Sequence, residues 1–240
     1  MFPRKEINMI KKTFMALTLC AVLLTACGKN ETVNDAEVPE SVERQEIIQQ
    51  EPIYVSEYAK EYFLEPLDKY SWEKEFDTEY VMLHFTSNVV ADRDNPYDMN
   101  QIREIFEESE ISIHYIIDRD GSAYCYIPES HSAWHAGVGE YADDEKYTNK
   151  MNKYSVGIEI VAIGSKNDMA QYLEEHEYDA LDKSLIGFTD AQYDTLKMLV
   201  PDICERNNIP FDREHVIGHQ EYNPNKNDPG ELFDWNRIFE

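Results

Sequence analysis

Residues 218–230 are Gly218-His219-Gln220-Glu221-Tyr222-Asn223-Pro224-Asn225-Lys226-Asn227-Asp228-Pro229-Gly230. The two prolines and the final glycine predict a fixed loop rather than a continued helix. With His84, which ends a distant apolar run, His219 and Asp228 would supply two nitrogens and one oxygen. Such a set can hold a zinc ion and leave its fourth position open for water, as in hydrolytic zinc sites.

The pattern around this segment predicts one α/β domain, with a central mixed β-sheet flanked by helices. The expected strands are residues 80–85, 112–117, 123–127, 155–162 and 215–217. A turn that contains Asp120-Gly121 joins the second and third strands in a hairpin. The two histidines of the proposed site each follow an apolar strand, where metal ligands can project into a cleft.

Helical spacing predicts a helix within residues 98–108 and a longer one after a capping box at residues 189–192. Pro201 lies inside the second helix and should kink or break it. Residues 128–153 are expected to form a long loop, and residues 164–188 a polar surface insertion.

The first 26 residues have the features of a secretion signal, with a positive start and an apolar stretch too short for a comfortable membrane span. Leu24-Thr25-Ala26-Cys27 resembles a bacterial lipobox, so Cys27 would become the lipidated first residue. A plain cleaved signal or a short anchor is the alternative. The expected protein is therefore a lipoprotein held on a membrane outside the cytoplasm.

The remaining chain divides by composition into three parts. Residues 27–52 are polar and are expected to be a flexible tether. Residues 53–78 are rich in aromatic side chains and are expected to be a partly helical lead-in that packs against the domain. The domain itself is expected to cover residues 79–240.

The net charge of −26 argues against a nucleic-acid partner, which requires a basic face. It also argues against docking on anionic lipid by charge alone. Two cysteines remain in the expected domain, Cys125 and Cys204. Secretion would permit a disulfide between them, and two buried free thiols are the alternative.

Three further positions are candidates for chemistry. Glu159 interrupts a central apolar strand, where a carboxylate is costly to bury unless it is paired or functional. Near a metal it could hold a water molecule and take its proton, and the alternative is an outward-facing side chain or an ion pair with an arginine. Lys226 could stabilise an oxyanion, although a solvated surface lysine is the alternative. Trp134 and His135 suggest a wall of the substrate site.

The other histidines are expected to be structural. His114 is predicted to be a core histidine bonded to the backbone, because it lies in the hairpin strand. His131 and His215 are expected to have structural roles, and His176 lies in an acidic stretch that faces solvent.

Taken together, these motifs resemble zinc-dependent N-acetylmuramoyl-L-alanine amidases of the type-2 family, which share their fold with peptidoglycan recognition proteins and T7-type lysozyme. The matching segments, in the family's order, are residues 83–87, 114–121, 133–137, 155–159, 218–219, 226–230 and 233–235. The resemblance covers roughly residues 80–236 and implies an amidase/peptidoglycan-recognition-protein-like fold.

The resemblance implies zinc on His84, His219 and Asp228, with Glu159 as the catalytic carboxylate and Lys226 as the oxyanion stabiliser. It also implies that His135 contacts the substrate near the scissile amide. The implied reaction cleaves the amide between N-acetylmuramic acid and L-alanine in peptidoglycan. The implied partner is therefore the muramyl stem peptide of the cell wall.

The chain departs from the family pattern in several places. Ile113 stands where some relatives have a tyrosine, and Pro224-Asn225 stands where they often have Gly-Arg. The insertion at residues 164–188 and Pro201 are also unlike compact members. A peptidoglycan-binding module without activity, and a zinc hydrolase acting on another acylated amine, are the alternative functions.

Overall fold

The computed structural model describes residues 55–239. The predicted signal sequence, the lipidation residue Cys27 and the tether at residues 27–52 lie outside the described residues. The strands are β1 Lys60–Glu61, β2 Ser71–Glu73, β3 Tyr80–Thr86, β4 Tyr115–Ile117, β5 Ala123–Cys125, β6 His131–Ala133, β7 Ser155–Val161 and β8 Val216–Gly218. The α-helices are α1 Leu67–Tyr70, α2 Met99–Ser109, α3 Lys166–Met169, α4 Glu175–Asp179, α5 Asp190–Arg206, α6 His219–Tyr222 and α7 Asn236–Phe239. Two short 3-10 helices cover Met151–Lys153 and Lys183–Leu185.

Six strands form the central sheet, in the order β1-β5-β4-β7-β3-β8. Strand β3 runs parallel to both β7 and β8, and β4 runs parallel to β7. The pairing of β4 with β5 is antiparallel, which confirms the hairpin predicted around Asp120-Gly121. The predicted α/β fold with a mixed sheet and flanking helices is therefore confirmed.

One face of the sheet packs against α5 and is apolar. The buried side chains of this face and of α5 are Val81, Leu83, Tyr115, Ile117, Val156, Ile158, Ile160, Leu196, Leu199, Val200 and Ile203. Successive residues of a strand point to opposite faces, so these side chains occupy every second position of β3, β4 and β7. Each large aliphatic side chain buried in this way stabilises the fold by about 1.5–3 kcal/mol before the costs of ordering it.

Helix α5 begins at the predicted capping box and continues past Pro201. The Thr189 hydroxyl accepts a hydrogen bond from the Gln192 backbone N–H, and the Gln192 side chain accepts one from the Thr189 N–H. The helix then runs unbroken through Pro201 to Arg206, so the alternative of a break is wrong, and the alternative of a kink stays a prediction. Val200 and Ile203 are both fully buried, and their burial on either side of the proline offsets its missing N–H.

The opposite face of the sheet carries both apolar and polar side chains. Helix α2 packs Ile102 and Phe106 on this face, close to Ile116 and Val161. The Asp98 side chain caps α2 by accepting hydrogen bonds from the backbone of its first turn. The remaining positions of this face hold the residues of the candidate site.

Two short segments form pairings that the sequence did not predict. Strand β1 extends the main sheet along β5, and β2 pairs with β6 in a separate two-stranded sheet. Residues 128–153 are therefore not one long loop, since they contain β6 and a 3-10 helix. Strands of two or three residues are too short to show an alternating pattern.

The insertion at residues 164–188 is more ordered than its polar composition suggested. It contains α3, α4 and a 3-10 helix, and it buries Met169, Leu173, Tyr178 and Leu181 in a small apolar cluster. The prediction of a polar, irregular surface segment is wrong in this respect. Met169 ends α3 and Tyr178 lies in α4, whereas Leu173 and Leu181 follow these two short helices, so no single amphipathic element carries the cluster.

Two other sequence questions are answered within residues 55–239. Cys125 and Cys204 are both buried free thiols, so the alternative of a disulfide is not realised. No helix of the described residues is long and apolar enough to cross a bilayer.

Candidate metal centre and active site

The sheet brings the two histidines of the proposed centre together. His84 is the fifth residue of β3, and His219 is the first residue of α6, directly after β8. Strands β3 and β8 are parallel neighbours in which Leu83 lies opposite Gly218, so the next residue of each chain segment is a histidine at the same edge. The backbone N–H of Gln220 donates to the Asp228 carbonyl oxygen at 3.1 Å, which folds the following loop back onto α6.

Three ligand atoms converge at this edge. The His84 Nδ1 lies 2.7 Å from the Asp228 Oδ2 and 3.1 Å from the His219 Nδ1, and the His219 Nδ1 lies 2.9 Å from the same carboxylate oxygen. A tetrahedral zinc ion with bonds of about 2.0–2.1 Å would separate its ligands by roughly 3.3 Å. The observed separations of 2.7–3.1 Å are somewhat shorter, so small outward shifts of the side chains would admit the ion, and an N, N, O set suits zinc. The three residues therefore fit the metal that the sequence predicted.

Burial sets the charges of this cluster. His84 and His219 are both almost fully buried. Desolvation lowers the pKa of His84 to about 4, against the opposing effect of its hydrogen bond with Asp228. Burial alone would raise the pKa of Asp228, but its hydrogen bonds with His219 and His84 outweigh that effect and lower the pKa below its usual range. The cluster therefore offers an ionised carboxylate and a neutral His84, which are the protonation states that a metal requires.

Glu159 projects from the same face of the sheet as His84. The two residues lie opposite each other on the parallel strands β3 and β7, and opposed residues share a face. The Glu159 Oε2 is buried and has no hydrogen-bond partner among the described residues, so neither alternative for this residue is observed there. Burial raises the pKa of Glu159 well above its usual value, and the nearby negative charge of Asp228 adds to this effect. A buried carboxylate with an unused oxygen is suited to proton transfer.

Lys226 lies on the loop between His219 and Asp228. Its side chain is exposed, and its backbone N–H donates to the Asn223 carbonyl oxygen at 2.9 Å. The positive charge is close enough to lower the pKa of both Glu159 and His84. The structure thus places Lys226 in the electrostatic neighbourhood of the cluster.

His135 lies directly behind His84. Its Nδ1 is 3.0 Å from the His84 Nε2, and its Nε2 is 3.2 Å from the Ser155 hydroxyl. A Cβ atom at Gly157 would lie 2.6 Å from the His135 Nδ1, so this strand position must be glycine for the ring to fit. Burial lowers the pKa of His135 well below its usual value, which keeps the ring neutral. Its predicted contact with substrate stays a prediction.

Trp134 is about half exposed and packs on a second tryptophan. The ring centroids of Trp134 and Trp72 are 4.2 Å apart. Trp72 comes from β2, in the lead-in, and sequence reasoning did not select it as a site residue. The density of aromatic residues in that segment was the available signal. Together the two indole rings form an aromatic wall on the strand that leads to His135.

The other histidines behave as predicted where the structure describes their contacts. The His114 Nδ1 accepts a hydrogen bond from the Gly157 backbone N–H at 3.0 Å, and its Nε2 lies 3.0 Å from the His131 carbonyl oxygen. His114 is therefore a core histidine bonded to the backbone. His176 is exposed, and His215 lies 2.7 Å from the Asp212 carboxylate.

A groove of about 380 Å³ adjoins the cluster at Asp228. Its walls come from the loop after β3, from α2 and from the insertion, which supplies Met169 and Tyr172. Asp168 connects the insertion to the end of the loop that carries Asp228. Its Oδ2 accepts hydrogen bonds from the backbone N–H groups of Ser165 at 2.8 Å and Glu231 at 3.1 Å. The insertion therefore forms part of the groove rather than an independent surface lobe.

The model of the N-acetylmuramoyl-L-alanine amidase family matches residues 74–231. The 1,6-anhydro-N-acetylmuramyl-L-alanine amidase AmpD of Escherichia coli (strain K12) is 30% identical over 129 residues, which are 53% of this chain and 56% of that protein. AmpD of Citrobacter freundii is 31% identical over 129 residues, or 53% and 55% of the two chains. The chain thus matches about half the length of these curated relatives.

Solved structures agree with the fold. The crystal structure of a selenomethionine derivative of AmpD superposes with a TM-score of 0.54 at 23% identity, and the match covers 77% of this chain and 94% of that chain. The amidase AmiD from E. coli, in complex with the substrate anhydro-N-acetylmuramic acid-L-Ala-D-γ-Glu-L-Lys, gives a TM-score of 0.50 at 25% identity, with 68% and 56% of the two chains covered. The family model spans well over half of the sequence and includes every residue of the cluster. The chain belongs to the N-acetylmuramoyl-L-alanine amidase family.

Proposed function

We propose that this protein is a zinc-dependent N-acetylmuramoyl-L-alanine amidase, which hydrolyses the amide between N-acetylmuramic acid and L-alanine in peptidoglycan. The observation that carries the proposal is the convergence of His84, His219 and Asp228 within 3.1 Å of one another, on the face of the sheet that holds Glu159. Family membership supports the substrate class. Curated and solved relatives are named for this amide or are bound to a muramyl peptide.

Zinc held by these three residues would supply a Lewis acid for the scissile carbonyl and would acidify a water molecule beside it. Glu159 would take the proton of the attacking water through the oxygen that has no hydrogen-bond partner within residues 55–239. It would then deliver that proton to the leaving amine of L-alanine. A raised pKa suits both steps, because it makes the ionised carboxylate a stronger base and keeps the protonated form available at higher pH than in an ordinary glutamate.

Lys226 would stabilise the negative charge that develops on the carbonyl oxygen during attack. Its exposed side chain is free to reach a substrate, and its charge already acts on Glu159 and His84. Trp134 would form a wall for the bound muramyl peptide, and His135 would lie behind it, near the scissile amide. The aromatic face of Trp134 suits the apolar face of a sugar ring, and its partner Trp72 holds it in place.

We also propose that the protein is a lipoprotein that acts outside the cytoplasm. The support lies in the sequence alone, in the apolar stretch and Leu24-Thr25-Ala26-Cys27. A polar tether over residues 27–52 would let the domain reach nearby wall, since a flexible chain spans roughly 5–6 Å × √n. Growth with a labelled fatty acid should label the wild-type chain, whereas a Cys27→Ala chain should remain unlabelled. Equal labelling of the two chains would overturn this part of the proposal.

The activity is tested with purified protein and muropeptides that carry either reducing or anhydro N-acetylmuramic acid. We expect release of free L-alanine amino termini, loss of release with a chelator, and its return when zinc is added. The matched control is Asp228→Asn, which keeps the size of the side chain but removes the charged ligand. Tight binding of muropeptides without turnover in either protein would instead indicate a recognition module. Turnover of a different acylated amine alone would indicate another zinc hydrolase.

A further inference from the structure

A chain of hydrogen bonds leads from the backbone of residue 151 to the metal ligand His84. The Ser155 Oγ lies 2.7 Å from the Met151 carbonyl oxygen. A carbonyl oxygen can only accept, so the serine hydroxyl must donate its single hydrogen there. The Ser155 oxygen then accepts from the next group along, which is the His135 Nε2 at 3.2 Å.

This direction favours one tautomer in each of two imidazoles. A neutral histidine carries one ring hydrogen, and in His135 the contact with Ser155 places it on Nε2. The His135 Nδ1 is then an acceptor and receives the Nε2 hydrogen of His84, at 3.0 Å. This leaves a lone pair for the metal on the His84 Nδ1, which lies 2.7 Å from Asp228 and 3.1 Å from His219. Without a metal, the Asp228 carboxylate competes for hydrogen on this nitrogen.

His219, the second histidine of the proposed zinc site, is oriented by the segment at residues 135–136. The His219 Nε2 donates to the Ala136 carbonyl oxygen at 2.9 Å, which again leaves Nδ1 as the ligand atom. The backbone N–H groups of His135 and Ala136 both donate to the Asn152 side-chain oxygen, at 3.0 Å and 2.7 Å. Residues 151–155 therefore hold residues 135–136, which in turn contact both imidazoles.

We propose that Ser155 is a positioning residue for the metal, which acts through His135 to hold His84 in the tautomer that presents Nδ1. Ser155 is fully buried and projects from the face of β7 that also carries Gly157 and Glu159. Its hydroxyl is too far along the chain of bonds to be a ligand itself. The inference rests on the proposed zinc site, and its spectroscopic test does not require the amidase reaction.

The test compares Ser155→Ala with a matched control, Ser132→Ala. Ser132 is also a fully buried serine, but its hydroxyl has no hydrogen-bond partner among the described residues. We expect Ser155→Ala to weaken zinc binding by about 10–100-fold in a chelator competition, the range seen when outer partners of metal ligands are removed. Ser132→Ala should bind zinc like the wild type.

The tautomers are read directly in the metal-free protein from the nitrogen chemical shifts of ¹⁵N-labelled histidine. We expect a larger share of His84 and His135 to carry hydrogen on Nε2 in the wild type than in Ser155→Ala, where Asp228 can hold the His84 hydrogen on Nδ1. Unchanged tautomers in Ser155→Ala would overturn the proposal. This outcome is separate from a failure of the proposed function, in which the wild type would bind no zinc or cleave no muropeptide.

A double-mutant comparison excludes a general packing effect. In His135→Gln the chain of bonds is already broken, so adding Ser155→Ala should not weaken zinc binding further. If Ser155→Ala lowers the affinity by the same factor in both backgrounds, the serine does not act through His135 and the proposal fails.

Discussion

The two faces of the central sheet are made by the same strands and have opposite characters. In β7, Val156, Ile158 and Ile160 pack against α5, whereas Gly157 and Glu159 face the candidate site. The same alternation in β3 places Leu83 in the core and His84 in the metal cluster. Because side chains alternate along a strand, a residue that stabilises the core is followed directly by a residue of the candidate site.

The apolar face supplies the free energy that stabilises the polar site. The site face carries several buried imidazoles and a buried carboxylate oxygen that lacks a partner in the part of the chain that the structure describes. Each disfavours folding relative to an apolar side chain. The apolar face offsets that cost. Substitutions on one face should therefore change activity, and substitutions on the other should change stability.

The largest expected effect is on activity, from Glu159→Gln on the site face. The amide has the shape of the carboxylate but cannot take a proton, so kcat should fall by about 10²–10⁴-fold, the usual contribution of a general acid–base group. Zinc content should match the wild type, since Glu159 is not among the three ligands. The thermal midpoint should not fall, because a buried ionisable group is removed. Activity close to that of the wild type would end the assignment of Glu159 as the proton carrier.

Ile158, the neighbour of Glu159 on β7, should affect stability rather than activity. Ile158→Ala removes a fully buried side chain from the face that packs on α5. We expect the free energy of unfolding to fall by about 2–5 kcal/mol, as for other large-to-small core substitutions. Urea unfolding measures this change, and kcat at a temperature where the variant is folded should stay near the wild-type value. A large loss of kcat in fully folded Ile158→Ala would show that the two faces are not independent.

Sequence reasoning could find the long strands and the site because both follow strong local rules. The apolar runs ending in His84 and His219, and the polar Glu159 inside a buried run, are visible in one dimension. The pairing of β1 and β2 could not be found, because such short strands are selected by their partners rather than by their own pattern.

The supporting residues were missed for a different reason. Trp72 and Ser155 belong to types that are common in any fold, and only their distances to Trp134 and His135 distinguish them. The insertion was misjudged because its few apolar residues are buried by a cluster from several elements. Contacts between segments far apart in sequence decide all three cases.

A smaller effect concerns pH, since the site face carries buried histidines that lose their charge on folding in the metal-free protein. Burial lowers the pKa of His84 to about 4 from its usual 6.5, and holds the pKa values of His114 and His135 well below that value. Below about pH 6.5 the unfolded chain therefore binds more protons at these histidines than the folded chain does, and stability should fall as the pH falls. The slope should be roughly 1.4 kcal/mol per pH unit for each unmatched proton.

Glu159 contributes with the opposite sign. Its folded pKa is raised well above the usual 4.5, so the folded chain holds an extra proton above that pH and loses the corresponding stability as the pH rises. Three histidines outweigh one carboxylate between about pH 4.5 and 6.5, and Asp228, with its lowered pKa, matters only below its usual 3.8. Denaturant unfolding of metal-free protein across this range tests the sum. In Glu159→Gln, stability should fall more steeply as the pH is lowered through this range. An unchanged slope would contradict the raised pKa of Glu159.

The central claim is that His84, His219 and Asp228 hold one zinc ion on the site face. Elemental analysis of the purified protein, paired with His84→Ala, tests it most directly. The account predicts one zinc per wild-type chain, removed by a chelator together with the activity, and little or none in folded His84→Ala. A wild-type protein that cleaves muropeptides without bound metal, or a His84→Ala variant that retains a full zinc equivalent, would contradict it.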